Sequence, residues 1–127
     1  MKQQNYQKIW DEALNAGQDA LTKCTPTPMV VEEHKHQLDD NSPVVKQWFV
    51  EGGVCGFAWV NIRPATSSFA RWLKSQGIVK RVSYYGGYDY WVIHGGQSMQ
   101  RKEAFARAMA EVLRKHGINA DAMSRID

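Results

Sequence analysis

The chain is short of the residues that mark several protein classes. It has only two cysteines, Cys24 and Cys55, in 127 residues, too few for a disulfide framework, and both are expected as reduced thiols in a cytosolic protein. No apolar run approaches the about 20 residues that a membrane-spanning helix needs. The opening stretch "MKQQNYQKIWDEALNAG" has no continuous apolar segment, so it does not read as a secretory leader. Proline is scarce, with four residues, and there is no internal repeat or low-complexity tract, which excludes fibrous and repeat architectures. Acidic charge is scarce in one half. Residues 63–115 hold ten Lys/Arg against three Asp/Glu, net +7, whereas residues 1–62 hold five against eight, net −3. A one-sided basic surface attracts phosphates; the plainer alternative is that these cations are the solvated faces of helices.

What is present is enough for one globular domain. The apolar fraction of 43% is ordinary, and a chain of this length can bury a core without a staple. Apolar residues recur at three- and four-residue steps over 4–22 (Tyr6, Ile9, Trp10, Ala13, Leu14, Gly17, Leu21), predicting an amphipathic helix. Pro26 and Pro28 in "TPTPMVV" end it and favour extended backbone. A polar stretch, "EEHKHQLDDNSP", reads as a mobile loop.

In "VVKQWFVEGGVCGFAWVNI" two apolar runs flank Glu51-Gly52-Gly53, which predicts a hairpin. "RPATSSFARWLKSQG" reads as a helix capped by Thr66 or Ser67, buried through Phe69, Trp72 and Leu73 and stopped by Gly77. "IVKRVSYYGGYDYWVIH" predicts a second hairpin about Gly86-Gly87. The stretch from Ser98 to Gly117 predicts a long helix whose stripe runs through Ala104, Phe105, Ala108, Met109, Val112 and Leu113, with "INADAM" a last strand. From residue 54 the order is strand, helix, strand, strand, helix, strand, the split βαβ order. The expected fold is a single α+β domain over 1–127. Residues 51–127 form a ferredoxin-like βαββαβ core, an antiparallel sheet with two helices on one face. Residues 1–50 add an N-terminal helix and a hairpin strand placed beside residues 54–62.

Tyr84, Tyr85, Tyr88, Tyr90 and Trp91 fall within ten residues and need either a core or a ligand. Strand alternation sorts them. A two-residue Gly86-Gly87 loop puts Val82, Tyr84, Trp91 and Ile93 on one face and Arg81, Ser83, Tyr85, Tyr88, Tyr90, Val92 and His94 on the other. The first set is the greasier and is expected under the helices. In strand 54–62, Val54, Ala58, Val60 and Ile62 suit the helix side, leaving Cys55, Phe57, Trp59 and Asn61 outward. Aromatic side chains on an open sheet of this order can stack on bases. Two other fates compete for that face: the helix at 4–22 laid across it, or a second copy of the chain in a homodimer.

The remaining motifs are weaker. "HGGQSMQRK" sets glycines and a serine before a helix N-terminus with Arg101 and Lys102 in its first turns, an arrangement that can hold an anion but lacks phosphate-loop spacing. His34 and His36 beside Glu32 and Glu33 have no second cluster with zinc-like spacing, so no metal or other cofactor is expected. Cys55 and His94 lack an orienting acid. The expectation is a non-enzymatic binding protein that contacts nucleic acid or a nucleotide through Arg81, Tyr85, Tyr88 and Tyr90, with Arg101 and Lys102 adding charge. The alternative is a protein-binding inhibitor of a host factor, with no membrane partner in either case.

At "PTPMVV", "GVCGFAWVNIRP", "FARWLKSQG" and "QSMQRKEAFARAMAEVLRKHGINADAMSRID" the chain resembles a group of small uncharacterised accessory proteins of tailed phages and prophages, over most of its length and least at 32–43. The resemblance implies a place in the bacterial host cytoplasm and a nucleic acid, nucleotide or host protein as partner. It transfers no functional residues.

Overall fold

The structure, a computed structural model, describes residues 2–34, 44–50 and 53–127. Its elements in chain order are α1 (Lys2–Lys23), β1 (Met29–His34), β2 (Val44–Val50), β3 (Gly56–Ile62), α2 (Ser68–Ser75), β4 (Tyr88–Trp91), α3 (Met99–Lys115) and β5 (Ala120–Ile126). The loop expected over 32–43 begins later, since 32–34 belong to β1; residues 35–43 and the Glu51-Gly52 turn lie outside the described residues. No described helix is long and apolar enough to cross a membrane.

The helix ends follow their sequence signals. Ser67 Oγ accepts from the Ala70 N–H and Ser98 Oγ from the Arg101 N–H, capping α2 and α3. Gly77 and Gly117 adopt φ +73° and +80°, and the next residue in each case bonds back to a helix carbonyl, Ile78 to Leu73 and Ile118 to Leu113. Only glycine enters that left-handed turn without strain.

β3 is the central strand of a three-stranded antiparallel sheet, order β4-β3-β5. Its register with β5 runs without a break from Gly56↔Ile126 to Ile62↔Ala120, and with β4 from Trp59↔Trp91 to Ile62↔Tyr88. Ala58, Val60 and Ile62 alternate onto one face, fully buried under Phe105, Met109 and Leu113 of α3 and Phe69 and Leu73 of α2.

α1 joins this same helical layer. Trp10 is buried, 6.3 Å from the Phe69 ring of α2 and edge-on to Tyr90 of β4 at 5.0 Å. Gly17 lets α1 approach α3 closely: a Cβ there would lie 2.7 Å from the Phe105 ring. Three helices rather than two therefore cover one face, and α1 does not cross the other. An apolar stripe needs only an apolar partner, and α3 offered one.

Three further expectations are corrected. β2 does not pair with β3, as the expected hairpin required. β2 pairs antiparallel with β1 in a separate two-stranded sheet, and β5 fills the place beside β3 that was expected for an added strand. The strand expected to run up to Tyr85 is reduced to one bridge, Val82 with Tyr88. Val79 is buried in the core, and the polar groups that follow it bond elsewhere: the Lys80 carbonyl accepts from Lys74 Nζ at 2.6 Å, and the Ser83 N–H and carbonyl close a loop with Gly87 and Gly86. Finally, the faces of the hairpin are exchanged. The loop spans Ser83–Gly87 rather than two residues, so counting outward from Gly86-Gly87 misassigned the pairs. Tyr88, Tyr90 and Val92 pack on the helix side, and Trp91 lies on the open side.

Candidate ligand-binding face of the sheet

The face away from the helices is built on β3. Phe57, Trp59 and Asn61 alternate onto it, as the sequence pattern predicts. The β3–β4 register sets Trp91 beside Trp59 and Asp89 beside Asn61. The two indoles stack with centroids 4.5 Å apart and planes 30° from parallel, and Phe57 meets Trp91 edge-on at 6.1 Å. Arg125 of β5 holds its guanidinium carbon 5.6 Å from the Phe57 centroid and 5.9 Å from that of Trp91, within cation–π range. Trp59 forms the floor, 9% exposed, while Trp91 stays 41% exposed.

The Tyr84–Tyr85 loop stands over this floor because Asn61 holds it there. Asn61 Nδ2 donates to the Gly86 carbonyl at 2.9 Å and to Asp89 Oδ1 at 2.8 Å, and Asn61 Oδ1 accepts from Arg63 Nη1 at 2.9 Å. Arg63 in turn pairs with Asp121 of β5. Gly87 adopts φ +67°, and a Cβ on it would meet the Ile62 carbonyl oxygen at 2.1 Å. The double glycine is therefore required where the loop presses on β3, with the tyrosines projecting beyond it: Tyr84 is 96% and Tyr85 61% exposed.

Loop and sheet enclose a groove of about 720 Å³ that includes Trp59, Tyr85, Asp89, Trp91, Met123 and Arg125. A second groove of about 700 Å³ adjoins it at the outer edge of β4, where Lys80, Arg81 and Ile93 line it. The indole N–H of Trp59 is sealed from solvent and finds no hydrogen-bond partner among the described residues, where most buried polar groups have one.

The residues predicted from sequence separate. Tyr85 lines the first groove and Arg81 the second. Tyr88 and Tyr90 are half-buried against the core, and burial pushes the Tyr90 phenol above its ordinary value of 10.0. Lys102 is buried, its ammonium donating to the Gly56 carbonyl at 3.2 Å and lying 5.1 Å from the Phe57 centroid. Arg101 lines a shallow cleft of about 290 Å³ with Gly95, Gly96 and Cys55. The sequence reading missed Trp91, Tyr84, Asp89, Met123 and Arg125 on the open face. The available signal was Trp59: once it faces outward, whichever β4 residue pairs with it faces outward too.

This arrangement offers stacking surfaces beside a cation. No family model matches the chain, and no curated protein or solved structure matches it.

Proposed function

We propose that the open face of the sheet binds nucleic acid or a nucleotide without catalysing a reaction. One observation carries this reading: the Trp59–Trp91 stack, with Arg125 over its exposed member, lies on a sheet face opposite all three described helices. An exposed indole beside a guanidinium suits a flat, electron-poor base attached to phosphate. Arg81 and Tyr85 keep the roles expected of them, and Trp91 and Arg125 take over those expected of Tyr88 and Tyr90. The same reading takes the core as a ferredoxin-like sheet whose second strand has shrunk to the Val82–Tyr88 bridge. It takes the protein as a phage or prophage accessory protein acting in the host cytoplasm.

The test is Trp91→Ala, measured by anisotropy of a labelled oligonucleotide. A lost base stack of about 1–3 kcal/mol predicts a fall in affinity of roughly 5- to 150-fold. Unchanged affinity overturns the reading. A second reading, a protein-binding inhibitor of a host factor, is favoured by the outer edge of β4, where Val82 and Ile93 are 64% and 79% exposed. An unpaired apolar edge accepts an added strand. Salt separates the two, because phosphate contacts weaken steeply with ionic strength and an apolar edge contact does not.

A further inference from the structure

The two grooves are parts of one path. Both are lined by Ser83, Tyr84, Asp89 and Trp91, so Trp91 is the shared wall between them. Arg125 stands on the open-face side of that wall, and Lys80 and Arg81 stand beyond it at the edge of β4. The sequence of groups along the path is cation, aromatic, cation. A nucleic-acid strand presents the complementary order, phosphate, base, phosphate. A mononucleotide would fill one groove and leave the other set of cations unused. A duplex keeps its bases stacked inside and cannot lay one on Trp91.

Resting on the nucleic-acid reading above, we infer that the ligand is a single strand spanning both grooves. One base stacks on Trp91, and its flanking phosphates sit at Arg125 and at Lys80–Arg81.

The experiment titrates the full chain with a mononucleotide, a dinucleotide, a single strand and a duplex of the same length, about ten nucleotides, a span comparable to single-strand sites elsewhere. Affinity is expected to rise at least tenfold from the mononucleotide to the single strand, and the single strand to bind at least tenfold tighter than the duplex. Arg125→Gln and the double change Lys80→Gln/Arg81→Gln should each flatten the salt dependence, by about 0.7 in log–log slope for every phosphate no longer neutralised. A mononucleotide as tight as the single strand, or a duplex tighter, overturns the inference while leaving nucleotide or nucleic-acid binding standing. Failure of all four probes to bind overturns the underlying reading.

Discussion

Replacing Asn61 by Ala tests the link between the core and the ligand face. Asn61 has no exposed surface and makes three side-chain hydrogen bonds. Two of them join a charged group, Asp89 or Arg63, and such bonds contribute about 1.5–3 kcal/mol each, against about 1 kcal/mol for the neutral bond to the Gly86 carbonyl. Water can reach both charged partners once the amide is gone, since the Arg63 side chain is 30% exposed and Asp89 lines the groove. The low end of the charged range therefore applies, and the three bonds together give a loss of about 3–4 kcal/mol. At about 2 cal/mol/K of unfolding entropy per residue, that lowers Tm by roughly 10–15 °C in a chain of this size. Thermal and urea unfolding followed by circular dichroism measure it. Binding should weaken as well, because Gly86 no longer pins the Tyr84–Tyr85 loop to β3. A variant within about 1 kcal/mol of the parent would refute the argument that this amide organises the site.

Two further outcomes follow from packing and burial. Gly17→Ala should lose about 1–2 kcal/mol in urea unfolding despite alanine's better helix propensity of about 1 kcal/mol, because its Cβ meets a Phe105 ring that is 1% exposed; a gain in stability would mean that α1 and α3 do not pack through this contact. Tyr90, whose phenol is pushed above 10.0 by burial, keeps its proton in the folded chain at a pH where the unfolded chain has lost it. The unfolded state then binds fewer protons, so stability falls as pH rises beyond 10. Tyr90→Phe should flatten that fall relative to the parent in urea midpoints taken across this range, and identical slopes would show that Tyr90 is not desolvated.

Much of the fold was legible because its signals are local. Ser67, Gly77, Ser98 and Gly117 each mark a helix end by a hydrogen bond or a left-handed turn that involves only near neighbours. The helix face of β3 was legible because Ala58, Val60 and Ile62 alternate with the larger Phe57 and Trp59. The hairpin was not, and the reason is physical. Both of its faces carry aromatics, so hydrophobicity alone does not choose between them; the choice is made by pairing with β3, a contact that spans nearly thirty residues in sequence. The double glycine misled in the same way. Glycine pairs commonly close two-residue turns, but here Gly87 answers a close approach to the Ile62 carbonyl and Gly86 an anchor from Asn61, and neither partner adjoins the turn in sequence. The place of α1 was illegible for a related reason, since its apolar stripe fits any apolar surface and only Gly17 opposite Phe105 specifies one.

The error about the strand up to Tyr85 and the position of the groove have one origin. A full strand there would hydrogen-bond along β4 and cover its outer edge. Instead Val79 is drawn into the core, and the next polar groups are satisfied within the chain: Lys80 by Lys74, Ser83 by Gly86 and Gly87. The segment has no need of β4 and parts from it after one bridge. That separation opens the edge groove, leaves Trp91 and Ile93 at 41% and 79% exposure, and sets Lys80 and Arg81 across from them. Aromatic and aliphatic surface left beside cations in this way is costly for a protein with no occupant for it. The position at which the sheet stops short is therefore also the position of the proposed binding path.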